Sequence, residues 1–287
     1  MSGSLPYLLS ALAYGAFAAY LGHQLTRKRQ PRQVGSAPGQ TIELPTRWHP
    51  PRGEQAIVGL ILLVHAWSVG TAVFHDGKVF VGVGVAMSAI VLVTVAIHWL
   101  GSFFYNLRGL QLLVFPAAAL CSLAPAVLGT QEPMPNAGFV MLTAHVIVAL
   151  LAYGLLTIAA LHALLLSSLD RQLRTGSLPP ILAGLPPLLT METMLFRIIV
   201  AGFVLLSATV LSGLLFSEEL FGIPLTFTHK NVFTLISWAI FAALLVGRFL
   251  FGWRGRIALR WTLWGFGLLV LAYVGTKFVV EVFLAGR

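Results

Sequence analysis

The sequence predicts an all-α, polytopic membrane protein: a bundle of eight transmembrane helices with the N-terminus and C-terminus both outside. Three observations lead there. Of 287 residues, 58% are hydrophobic and 9% charged, whereas a soluble domain is about half apolar and about a quarter charged. The mean hydropathy is +0.90. Apolar runs long enough to span a bilayer recur along the chain, separated by polar or Pro/Gly-rich breaks. The basic residues then fall almost entirely on one side of these spans.

The same composition excludes a disordered chain. The 18 Lys and Arg against 9 Asp and Glu give a net charge of +9. In a soluble protein that excess would suggest nucleic acid. Here it marks topology, and no nucleic-acid partner is expected. The one cysteine, Cys121, lies in an apolar run and excludes an internal disulfide, a CxxC redox pair, a four-Cys zinc site and covalent CxxCH haem attachment.

The spans read, in order, roughly 5–25, 54–74, 79–100, 107–129, 138–168, 191–216, 231–251 and 257–284. The first is followed by Arg27-Lys28-Arg29-Gln30-Pro31-Arg32, which opens a polar segment running to Gly53. Its charge follows the apolar run and no small-x-small cleavage site is evident, so it reads as a retained, N-out anchor. His75-Asp76-Gly77-Lys78 is a tight polar turn between the second and third spans. Glu132-Pro133-Met134-Pro135-Asn136 closes the fourth, because proline cannot continue a helix.

The 175–190 loop carries Pro179-Pro180 and Pro186-Pro187, so it cannot be one helix and is expected along the inner membrane face. Gly252-Trp253-Arg254-Gly255-Arg256 makes a short hairpin, so the last two spans are antiparallel neighbours. Residues 1–53 thus form an anchor helix and a basic cytoplasmic loop, and 54–287 a seven-helix membrane domain. With the N-terminus outside, 14 of the 18 basic residues lie inside and only Lys78, Lys230, Lys277 and Arg287 lie outside.

Ionisable groups within a bilayer are costly, so each is a functional candidate. His145 lies about 10 Å into the fifth span from its outer end, at 1.5 Å per residue. His229 sits just before the seventh span, also on the outer side, and His65 near the middle of the second. His98 and His162 lie near inner ends of spans three and five, His23 near that of span one, and His49 and His75 in loops.

A bis-His haem site needs two imidazoles from different elements at one depth. His145 and His229 meet that condition at the outer interface, and His98 with His162 is a second, inner candidate pair. Equally, a transmembrane histidine serves as a hydrogen-bond bridge between helices. Glu218-Glu219 could bind a cation or simply be solvated, and Lys277 and Glu281 are spaced to pair with each other. Ala208-xxx-Ser212 and Thr209-xxx-Gly213 are small-xxx-small spacings suited to close helix packing. No phosphate loop, nucleophile elbow or HExxH motif is present, so an enzyme is not expected.

The runs Thr226-Phe227-Thr228-His229-Lys230-Asn231-Val232-Phe233, Gly252-Trp253-Arg254-Gly255-Arg256, Leu271-Ala272-Tyr273-Val274-Gly275-Thr276-Lys277 and Ala144-His145-Val146-Ile147-Val148-Ala149-Leu150-Leu151-Ala152-Tyr153-Gly154, with His65-Ala66, carry a resemblance. Over roughly 55–284 the chain resembles the cytochrome c assembly transmembrane family of haem-handling proteins, and within it the small inner-membrane members of the YpjD type. The resemblance implies a bacterial inner-membrane protein that binds non-covalent, b-type haem at the outer face. His145 and His229 would be the axial ligands and His65 a reserve ligand or supporting partner. Lipid, haem and other membrane or cytochrome assembly proteins are the implied partners.

The tryptophan-rich haem loop of the cytochrome c maturation members is absent, since neither Thr130–Ala137 nor Ser217–Lys230 contains Trp. That favours holding haem over delivering it to apocytochrome c. Two other readings remain open from the residues alone: a haem-free small-molecule or ion transporter or its membrane subunit, and a structural scaffold. No pair of matching broken spans, the mark of many transporters, is visible.

Overall fold

The computed structural model describes residues 4–27, 51–75, 78–128, 132–133, 140–175, 185–216 and 229–272. In hydrocarbon every backbone N–H and C=O must be paired within the protein, which makes helices the default for these apolar runs. Nine follow in order: α1 (Leu5–Arg27), α2 (Arg52–Val73), α3 (Val83–Gly101), α4 (Arg108–Ser122), the short α5 (Ala124–Val127), α6 (Val140–Thr175), α7 (Leu188–Leu215), α8 (His229–Phe251) and α9 (Arg256–Val270). Among the described residues, seven stretches are long and apolar enough to cross a membrane, with α4 and α5 together forming one of them. The expected eighth span begins as α9, and its 273–284 portion, with Lys277 and Glu281, lies outside the described residues.

Two expectations are corrected. Beside the helices, β1 (Phe74–His75), β2 (Lys78–Val81) and β3 (Glu132–Pro133) form a small antiparallel sheet in the order β1-β2-β3. The register Phe74↔Val79 and His75↔Lys78 places Asp76-Gly77 between the first two strands. Asp-Gly is a strong hairpin signal, and Val79-Phe80-Val81 is β-prone, so this stretch pairs instead of opening the third helix. That helix therefore starts at Val83, not at 79. The fifth span, expected to end at 168, continues as α6 to Thr175. Hydropathy ends there but helix propensity does not, and Arg174 pairs with Asp170 one turn back at 3.0 Å. At 36 residues α6 is about 54 Å long, well beyond a hydrocarbon core of about 30 Å.

The core has two parts joined by α6. Tyr14, Phe17, Val58, Ile61, Val95, Leu110, Val114 and Phe115 close the space between α1, α2, α3 and α4, with Ile158 contributed by α6. Leu156, Ala159, Leu195, Ile199, Leu206, Phe241, Leu244 and Leu269 close that between α6, α7, α8 and α9. Ile158 and Ala159 are adjacent, so successive faces of one helix serve the two halves.

Small residues set the close approaches. At Gly202 an added Cβ would meet the Leu156 side chain at 2.8 Å, which lets α7 press against α6. Polar fasteners run between helices as well. Trp238 Nε1 donates to Ser207 Oγ at 2.8 Å, and Ser237 Oγ donates to the Gly265 carbonyl at 2.7 Å. Tyr153 Oη donates to the Leu269 carbonyl at 3.1 Å.

These contacts fix which helix ends lie together. Arg248, near the end of α8, meets Glu192, near the start of α7. Arg108, opening α4, approaches Glu54, opening α2. His145 near the start of α6 meets Ser212 near the end of α7. Arginine residues thus gather at the ends opposite to the one that carries His145.

Candidate functional site

The candidate site lies where the start of α6, the end of α7 and the start of α8 meet. His145 is the sixth residue of α6 and half-buried. Its Nδ1 lies 2.8 Å from Ser212 Oγ on α7. Ser212 Oγ also lies 3.1 Å from the Thr209 carbonyl oxygen. The contact with His145 ties α6 to α7 and orients the imidazole whichever of the two groups donates. Metal-ligating imidazoles are commonly held in this way through one ring nitrogen. Gly213 adjoins the ring: a Cβ there would lie 3.6 Å from His145 Cε1.

His229 is the first residue of α8 and exposed, as is Lys230. Lys230 lies close enough to His145 for the ammonium charge to act on the imidazole. The first turn of α8 is thereby brought to the His145 end of α6. The connection between α7 and α8, residues 217–228, holds Glu218-Glu219 and lies outside the described residues.

His65 is elsewhere. It is fully buried, with Nδ1 3.1 Å from the Tyr14 hydroxyl and Nε2 2.9 Å from Ser88 Oγ. Its partners come from α1 and α3, and both ring nitrogens are engaged, so it bridges three helices. The Tyr14 ring also meets it edge-on, with centroids 5.4 Å apart.

The two inner histidines contact different helices. His162 Nε2 donates to the Met191 carbonyl on α7 at 3.0 Å, whereas the His98 ring stands edge-on to Phe115 of α4 at 5.9 Å. His23 is exposed on α1, His75 belongs to β1, and His49 lies outside the described residues. Among the described residues no three His, Cys, Asp or Glu side chains come together as a metal cage.

Sequence reasoning missed two features of this geometry. Ser212 was readable only as a small packing residue, since the register between α6 and α7 that makes it a hydrogen-bond partner is a tertiary property. The clamp at the arginine end was equally hidden. There Arg248 Nη1 lies 3.3 Å from Glu192 Oε1 and 3.3 Å from the Trp253 carbonyl, with its guanidinium 4.5 Å from the Phe196 ring centre.

Seven long apolar stretches with a half-buried, oriented histidine at one end of the bundle define a multi-pass α-helical membrane protein with a candidate ligand site near that surface. A sequence model of the family described as "Cytochrome C assembly protein" matches residues 56–284, and the chain belongs to that family. It is similar to "Inner membrane protein YpjD" of Escherichia coli strain K12, 35% identical over 181 residues, which is 61% of this chain and 66% of that protein. An uncharacterized 28.8 kDa protein of Azospirillum brasilense is 32% identical over 163 residues, 55% of this chain and 60% of its own length. "Cytochrome c biogenesis protein CcsA" of Prochlorococcus marinus is 32% identical over 89 residues, 31% of this chain and 28% of CcsA. The chain thus spans just under two thirds of the YpjD protein it matches. No solved structure matches it.

Proposed function

We propose that this chain holds haem non-covalently at the outer face of a bacterial inner membrane, with His145 and His229 as the two axial ligands. The observation that carries the reading is the hydrogen bond that holds His145 Nδ1 to Ser212 at the end of the bundle where α8 begins. Proximity of the α8 first turn supports it, because the charge of Lys230 reaches His145 and His229 directly precedes Lys230. The partial likeness to a protein named for cytochrome c biogenesis is in keeping with it.

In this reading Ser212 fixes the ring orientation of His145. Lys230 would supply positive charge to an anionic group of the bound ligand. Bound haem would supply a six-coordinate, low-spin iron suited to holding or passing on the group or an electron, not to activating oxygen. The single cysteine makes covalent attachment of the c type unavailable. The chain would serve as a binding protein and not an enzyme, acting with other membrane or cytochrome assembly proteins. In this reading the arginine end faces the cytoplasm by the positive-inside rule, and the eighth span expected from the sequence would put the C-terminus on the outer side.

The test is haem content per folded protein in His145→Ala, His229→Ala and the double variant, each purified from membranes. Loss of bound haem in each single variant, with helicity unchanged, is expected. Wild-type haem content in a folded double variant would overturn the ligand assignment.

A further inference from the structure

At the arginine end, a cavity of about 10 Å³ lies among α1, α2, α3 and α4, lined by Glu54, Gln55, His98, Ser102, Gln111 and Phe115 among others. Two of its polar liners satisfy each other. Gln55 Nε2 donates to Ser102 Oγ at 2.6 Å, and Ser102 Oγ donates to the Trp99 carbonyl at 2.6 Å. The rest are left over. His98 is 1% exposed, and neither Nδ1 nor Nε2 has a hydrogen-bond partner. Glu54 is 8% exposed, and its Oε2 has none either. The nearest Arg108 nitrogen is 3.8 Å from that oxygen, too long for a hydrogen bond. Gln111, 6% exposed, lines the same space.

Each buried polar group without a partner costs about 1–3 kcal/mol. Several orphans around one polar cavity therefore point to an occupant. A water molecule needs roughly 10–15 Å³ and about two to four polar partners, and this cavity offers both. A metal ion fits less well. The donor set holds one imidazole and one carboxylate, and the Arg108 guanidinium beside Glu54 opposes a second positive charge.

We propose that this cavity binds one water molecule, held by His98, Glu54 and Gln111, through which His98 exchanges protons with the aqueous phase at the arginine end. The route is short. The Arg108 side chain is 30% exposed and that of Glu54 10%, so the Glu54 carboxylate lies between solvent and the cavity. A proton arriving on Glu54 passes to the water oxygen as the water gives one of its own to the lone-pair nitrogen of His98. Carboxyl becomes carboxylate, imidazole becomes imidazolium, and the total charge is unchanged.

Arg108 favours the carboxylate that results. Of the other ionisable groups on the packed helices, His65 is bonded to Tyr14 and Ser88, His162 is turned to Met191, Tyr20 lies near Arg108, and Tyr7, His23, Arg52 and Cys121 do not line the cavity. This site is separate from the His145 end and stands whether or not haem binds there.

The test uses full-length protein with ¹⁵N-labelled histidine in liposomes and water-edited solid-state NMR, the His98 signal being identified by its loss in His98→Gln. Transfer from water to the His98 ring is expected at a level comparable to that of exposed His23. Gln111→Leu should lower that transfer several-fold. Glu54→Gln keeps the volume and a hydrogen-bonding group but cannot carry the proton, so water contact should persist while ring hydrogen–deuterium exchange slows several-fold. A wild-type His98 that receives nothing from water while His23 does would overturn the water site. Unchanged exchange in a folded Glu54→Gln protein would overturn the proton route.

Discussion

Ser212 Oγ lies 2.8 Å from His145 Nδ1, and the hydrogen bond between them ties the end of α7 to the start of α6 and orients the imidazole. The two residues lie 67 positions apart. They meet because α6 and α7 run antiparallel, with Gly202 allowing the close approach lower down. Loss of a partner that orients a ligating histidine costs about 10- to 100-fold in affinity. Ser212→Ala should therefore weaken haem retention by that order without unfolding the bundle, and Ser212→Thr should restore it. Haem dissociation rates measured by transfer to an acceptor protein check this.

His65→Leu should behave in the opposite way. It removes an imidazole that is bonded to both Tyr14 and Ser88 and leaves two buried hydroxyls without it. The expected cost is about 2–4 kcal/mol of stability, from the orphaned groups. Haem bound per folded molecule should stay at the wild-type value. Thermal unfolding in detergent alongside pigment content separates the two effects.

The contrast between these histidines shows what sequence can convey. Both lie within or near apolar runs, and spacing along one helix says nothing of what faces them. The spans themselves were legible because bilayer thickness and backbone hydrogen bonding leave few alternatives for runs such as Val83–Gly101 or Leu188–Leu215. Depth was legible too, and it put His145 and His229 at one end. The hairpin Phe74–Val81 was misread because its Val79-Phe80-Val81 run is as apolar as the helix that follows it. Asp76-Gly77 was the available clue. Ser212 and the orphaned His98 needed helix register, which a single sequence does not encode locally.

Arg248→Ala should destabilise the arginine end. Its side chain is 21% exposed, and that of Glu192 17%, so the pair is only partly screened. Removing the guanidinium also frees the Trp253 carbonyl and the Phe196 face. A loss of about 1–3 kcal/mol is expected, between the values for surface and buried pairs. Arg248→Ala with Glu192→Ala should recover part of it, as a double-mutant cycle in detergent would show.

Gly247→Ala should disturb the same corner by another route. A Cβ at this position would fall inside contact distance of the Trp253 ring, which in turn packs on Trp261 with centroids 5.1 Å apart. The indole must move, at a cost of about 1–3 kcal/mol for overpacking. A shift in tryptophan emission with a lowered unfolding temperature is the expected signature.

The central claim is that His145 and His229 hold one haem between them. An optical spectrum of the detergent-purified wild-type protein, oxidised and then reduced with dithionite, tests it most directly. A Soret band with sharp α and β bands on reduction is the predicted result, marking a six-coordinate, low-spin, bis-histidine iron. A folded protein with no Soret band, even after titration with haemin, would contradict it.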